Sequence, residues 1–126
     1  MQFPDNLRYT KDHEWIRIEG DVGIVGITDY AQGELGDVVF VELPANGKQV
    51  KQGETFGTIE AVKAVSDLYA PVSGEVIELN TQLEKTAEIV NKEPYDSGWM
   101  IKMKIKDKNE LNSLLDAKKY RELIGR

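Results

Sequence analysis

The sequence predicts a mainly β protein, a sandwich or small barrel of short antiparallel strands with short helices and a helical C-terminus. Three observations predict it. Short runs of apolar and β-branched residues recur along the 126 residues, with turn residues between them. "WMIKMKI" (Trp99 to Ile105) alternates strictly between apolar and polar, as a half-buried strand does. Helical spacing is confined to two connections and to the stretch from about 107 to 124. No Pro/Ser/Gly linker divides the chain, so residues 1–126 are expected to form one domain around one core.

The elements follow in order. "EWIRIEG" (Glu14 to Gly20) alternates and stops at the turn pair Gly20-Asp21. "VGIVGIT" (Val22 to Thr28) is the returning strand, and Gly23 and Gly26 permit close approach or a bulge. "TDYAQGELG" reads as a short helix with Thr28 or Asp29 as its N-cap and Gly36 as its end. "VVFVEL" (Val38 to Leu43) has the composition of a buried strand and stops at Pro44. "PANGKQVKQGE" is loop-rich, with Asn46-Gly47 a strong turn signal. Two strand-like arms then flank Lys63 over about 55–71, "GEVIELN" (Gly74 to Asn80) is a further strand, and "TQLEKTAEIV" has helical spacing at Leu83, Ala87 and Val90. In the tail, Asp107 and Glu110 stand at capping-box spacing, ahead of one apolar face of Leu111, Leu114 and Leu115 and a second of Ala117, Tyr120 and Ile124. One bent helix or two short ones packed on the sheet are expected there.

Composition removes several classes of function. The chain has no cysteine and one histidine, which excludes disulfides, thiolate nucleophiles and multi-histidine metal sites. Its net charge of −6 disfavours nucleic acid. No apolar run is long enough to span a membrane and the N-terminus has no signal-peptide core, so a cytoplasmic protein is expected. No phosphate loop or nucleophile elbow appears, and His13 lacks a serine in a suitable setting. No catalytic residue and no metal ligand is assigned, and an independent enzyme is disfavoured.

Lys63 is the candidate that remains. It stands ten residues after Gly53 and eleven before Gly74, at the bend of a hairpin, between the small residues Ala61, Val62, Ala64 and Val65. Schiff-base chemistry needs a lysine in a buried, desolvated setting that lowers its pKa from about 10.4, and a hairpin tip is exposed. Exposure suits a different role: a modifying enzyme can grip a rigid hairpin and acylate the amine at its tip.

"IEAVKAVSDLYAPVSGEV" resembles the attachment hairpin of lipoyl and biotinyl carrier domains. More narrowly, the chain resembles the glycine cleavage system H-protein family over nearly its whole length. "YTKDHEWIRIEGD", "VGITDYAQGELGDVVFVELPANG" and "VNKEPYDSGWMIKMK" match that family's opening, signature segment and late loop. Ala87 departs from a frequent proline, and Asp12 stands where some members have serine.

The resemblance implies a sandwich of two small antiparallel sheets, the lipoyl-domain-like barrel-sandwich hybrid, with a lipoyl cofactor in amide linkage on Lys63. It implies a carrier rather than an enzyme. The implied partners are the glycine decarboxylase (P protein), the tetrahydrofolate-dependent aminomethyltransferase (T protein) and dihydrolipoamide dehydrogenase (L protein). A lipoate ligase or octanoyltransferase would modify Lys63, with Glu60, three residues before it, as a recognition residue. Glu14, Asp12 and Asp67 are the acids expected to hold the loaded arm. A lipoyl or octanoyl relay to other acceptors shares the same residues. A biotin carrier is disfavoured, because Val62 and Ala64 stand where biotin acceptors place methionines.

Overall fold

The computed structural model describes residues Met1–Arg126. Nine strands form two antiparallel sheets. In chain order they are β1 (Arg8–Tyr9), β2 (Glu14–Glu19), β3 (Val22–Ile27), β4 (Val38–Glu42), β5 (Gln49–Val50), β6 (Thr55–Ala61), β7 (Val65–Tyr69), β8 (Gly74–Leu79) and β9 (Ile101–Ile105). The six-stranded sheet has the order β1-β2-β3-β9-β8-β5, and the three-stranded sheet the order β4-β6-β7. The inner faces of the two sheets share one core, built around Ile16, Val25, Val41, Phe56, Ile59, Leu68, Val76 and Met103. A smaller cluster of Tyr9, Trp15, Ile24 and Tyr120 covers the other face of the β1–β3 region. A sandwich of two antiparallel sheets is therefore what the chain builds.

Four short helices connect and close the sheets: α1 (Asp29–Leu35), α2 (Gln82–Lys85), α3 (Ile89–Lys92) and α4 (Ala117–Ile124). None of them is long and apolar enough to cross a membrane. The Thr28 hydroxyl caps α1 by accepting the Ala31 N–H, and Gly36 closes it at φ 81°, a left-handed value that glycine adopts without strain. The stretch with helical spacing at Leu83, Ala87 and Val90 splits into α2 and α3, interrupted at Thr86. The tail likewise splits, into a 3-10 helix (Lys108–Ser113) and α4. The Leu111–Leu115 face divides too: Leu111 and Leu114 pack on the main core, whereas Leu115 packs on the smaller cluster and pairs with Tyr9.

Three expectations need correction. Asp107 does cap the 3-10 helix, but Glu110 does not turn back to complete a capping box; its carboxylate accepts from the Ser73 N–H and hydroxyl at 2.7 and 2.9 Å. β2 does not alternate, because Glu14, Trp15 and Ile16 are all buried; Trp15, on the face that alternation would leave wet, packs against Tyr95 and donates to the Pro94 carbonyl within the smaller cluster. β4 is not a buried strand throughout. A register shift between Val38 and Phe40 turns Val39 and Phe40 outward, 53 % and 48 % exposed.

Candidate functional site

β6 and β7 form the hairpin anticipated around Lys63. Their inward residues Phe56, Ile59, Ala61 and Leu68 are buried, which anchors both arms to the core. At the bend the Ala61 N–H donates to the Ala64 carbonyl at 2.7 Å, and the Val62 N–H donates to the Asp37 carbonyl at 3.1 Å. These two bonds hold the backbone of the tip and leave the side chains free. Lys63 is exposed and takes part in none of the three salt bridges of the protein. Glu60 projects from the outer face of β6, directly opposite Phe40 on one side and Val65 on the other.

Glu14 lies in a different setting. Thr10 and Glu14 flank a tight turn in which the Thr10 N–H donates to the Glu14 carbonyl and the His13 N–H to the Thr10 carbonyl, at 2.9 and 3.1 Å. His13 takes φ 72°, the left-handed residue that closes such three-residue hairpin loops. The turn directs the Glu14 side chain inward, where the residue is 2 % exposed. One carboxyl oxygen accepts from the Thr10 hydroxyl at 2.5 Å, and the other from the Tyr69 N–H at 3.3 Å. That second donor lies on β7, the edge of its sheet, and would otherwise lack a partner there. Burial pushes the Glu14 carboxyl up to about 8, and Asp12 adds to the rise; the bonds from Thr10 and Tyr69 oppose it without overcoming it.

A cleft of about 410 Å³ opens beside this carboxyl, with Glu14, Asp12, Tyr69, Gln52 and Leu114 among its walls. The Gln52 amide donates to the Pro71 carbonyl at 3.0 Å and to the Ser113 hydroxyl at 3.0 Å, tying the turn before β6 to the tail. Asp12 stands exposed at the rim. Asp67 does not line the cleft. It projects from the outer face of β7, two residues from Tyr69, between the cleft and the tip. The structure thus brings Glu14 and Asp12 together and sets Asp67 between them and Lys63.

His13 faces away from this chemistry. Its Nδ1 lies 2.9 Å from the Tyr120 hydroxyl, which in turn lies 2.8 Å from Thr28 Oγ1. Burial lowers the His13 pKa, so the ring is held neutral as a structural link between the Glu14 turn and α4. Thr10, Tyr69 and Gln52 escaped the sequence reading. Thr10 had a local signal, a hydroxyl four residues before Glu14 across a turn. Tyr69 acts through its backbone, which no side-chain pattern reveals.

The model of the family described as glycine cleavage H-protein matches residues 7–126. The glycine cleavage system H protein of Staphylococcus carnosus (strain TM300) is 53 % identical over 125 residues, covering 99 % of both chains. The crystal structure of a glycine cleavage system H protein from Mycobacterium marinum superposes with a TM-score of 0.91 at 39 % identity, covering 98 % of this chain and 100 % of that one. With the family model, full-length identity and fold in agreement, the chain belongs to the glycine cleavage H-protein family.

Proposed function

We propose that this chain is the lipoyl-bearing shuttle of the glycine cleavage system, with the lipoyl group in amide linkage on Lys63. The observation that carries the proposal is the position of an exposed amine at one end of β7 and a carboxyl-lined cleft at the other. From Val65 to Tyr69 a strand rises about 13 Å. An extended lysine-plus-lipoyl arm reaches on the order of 14 Å by bond-length arithmetic. Lys63 stands two residues before Val65, so an arm of that length laid along β7 covers most of the way to the cleft, and the residues fit the group: a free amine to accept it and a carboxyl-walled cleft in the direction the arm extends. When bound, the lipoyl disulfide supplies the sulfur chemistry that a chain without cysteine lacks.

The chain's own residues position and protect. The hairpin fixes the Lys63 backbone, and the outward residues Val65, Asp67 and Tyr69 form a strip from tip to cleft. The cargo of such a shuttle is a cationic amine. Beside it, Glu14 would lose its proton to solvent and present a carboxylate, because a nearby positive charge lowers a carboxyl pKa. Exposed ion pairs contribute only about 0–1 kcal/mol, so the walls of the cleft, by excluding water, must carry most of the protection. The cargo would be loaded by the decarboxylase and removed by the aminomethyltransferase, and the arm reoxidised by dihydrolipoamide dehydrogenase. The same residues would serve a relay of lipoyl or octanoyl groups to other acceptors.

Intact mass tests the attachment. Wild-type chain incubated with lipoate, ATP and lipoate ligase should gain one lipoyl mass, and Lys63→Arg should gain none. A lipoyl adduct persisting on Lys63→Arg refutes the assignment.

A further inference from the structure

We infer that the outer face of β4, β6 and β7 beside Lys63 is a docking surface for the enzyme that acylates Lys63, one that presents an apolar patch carrying lysine or arginine around its active-site mouth. The inference rests on the reading of Lys63 as the acylation site. Val39, Phe40, Val62 and Val65 are 53 %, 48 %, 70 % and 69 % exposed, and the first, third and fourth share one shallow depression with Lys63. Phe40 joins them through the cross-strand row Phe40–Glu60–Val65, whose side chains stand on the same face. A single exposed apolar residue needs no explanation; four gathered around one free amine mark an interaction site.

The core does not demand this arrangement. β4 would bury an alternating pattern, yet the register shift after Val38 turns both Val39 and Phe40 to water. The next row of the face is Glu42–Thr58–Asp67. The three strands carry Glu42, Glu60 and Asp67 and no lysine or arginine. The face therefore sets Glu60 between apolar neighbours and adds Glu42 and Asp67 in the next row, complementary to an apolar surface that carries lysine or arginine. The acids steer encounter while the apolar side chains supply affinity.

Geometry selects the acylating enzyme over the other visitors. Amide formation joins the activated acyl carbon to Nζ of Lys63 and releases the activating group and one proton from the amine. The amine itself must then lie in the enzyme's active site, at the end of a stem of about 6 Å. The residues that share its depression, Val39, Val62 and Val65, then face the enzyme, and Phe40 extends that contact along the strands. Enzymes that act on the far end of the arm work on the order of 14 Å away and do not require this face.

The test is the kcat/KM of acyl transfer to the unmodified chain by lipoate ligase with octanoate and ATP. Phe40→Ser and Val65→Ser should each lower it at least fivefold, chiefly through KM, and Phe40→Leu should retain at least half of the wild-type value. Ile77→Ser, on the exposed face of β8 in the other sheet, should stay within twofold. Glu42→Lys should lower kcat/KM and flatten its dependence on salt. Circular dichroism checks folding, and Val62→Ser, at the exposed bend, serves as the variant least able to disturb the core. Values within twofold of wild type for Phe40→Ser, Val65→Ser and Val62→Ser overturn the inference. So does normal acylation combined with a fivefold loss of glycine-dependent exchange by the decarboxylase, which would give the face to that enzyme. Neither result touches the attachment reading, which stands or falls on whether Lys63→Arg is acylated.

Discussion

Glu14 makes the stability of this protein depend on pH in a direction opposite to that of a salt-bridged carboxylate. Burial raises its pKa from 4.5 to about 8. The folded state therefore binds a proton that the unfolded state releases between those values. Stability from this group is fully present below about pH 4.5 and is lost as pH rises through about 8. The interval of roughly 3.5 pH units, at about 1.4 kcal/mol each, sets a ceiling near 5 kcal/mol. Relaxation and water entry at the cleft reduce the cost of a buried charge, and about 2–4 kcal/mol is expected.

Glu14→Gln removes the titration and nearly keeps the shape. Like the protonated carboxyl, it has one carbonyl oxygen to accept from the Tyr69 N–H and a donor to meet the Thr10 hydroxyl oxygen. At pH 5 the two proteins should therefore match to within about 1 kcal/mol. At pH 8.5 the wild type should be the less stable by about 2–4 kcal/mol. Urea unfolding followed by the fluorescence of buried Trp15 measures both. If the stability difference between the two proteins stays constant within about 0.5 kcal/mol from pH 5 to 8.5, Glu14 is not a protonated buried carboxyl in the free protein.

Three further outcomes are expected. In the loaded shuttle, Glu14→Ala and Asp67→Ala should each shorten the lifetime of the aminomethyl cargo without altering lipoylation of Lys63; unchanged lifetimes in both would exclude these acids as its holders. Glu60→Ala should slow lipoylation while leaving the melting temperature within a degree or two, and an unchanged rate would remove Glu60 from recognition. Gly26→Ala would place a Cβ 2.7 Å from the Trp15 ring, which is fully buried. Overpacking of that kind costs about 1–3 kcal/mol, so a loss in urea unfolding below about 0.5 kcal/mol would mean that the ring has room to move.

The sequence by itself determined the local elements whose signals are local. Thr28 or Asp29 and Gly36 marked both ends of α1, with Thr28 the one that caps, because a side-chain cap and a left-handed glycine act within one turn of helix. Lys63 stood out because two arms of strand-like composition surround it, and β6 and β7 pair there as a hairpin. Acid residues could be named, but not assembled: Glu14 and Tyr69 are 55 residues apart, and only the packing of β2 against the edge of β7 makes the carboxyl an acceptor for that N–H. The burial that changes its protonation is likewise a property of the closed sandwich, not of "DHEW". Tertiary packing also decided β2 and β4 against their patterns. Pro94, 79 residues away, and Tyr95 beside it cover Trp15 on one face of β2, so alternation is lost, and a register shift in β4 exposes residues whose composition asks for burial. Each of these depends on what a residue packs against across the fold. A strand's own sequence encodes its periodicity, not the element that will cover its second face.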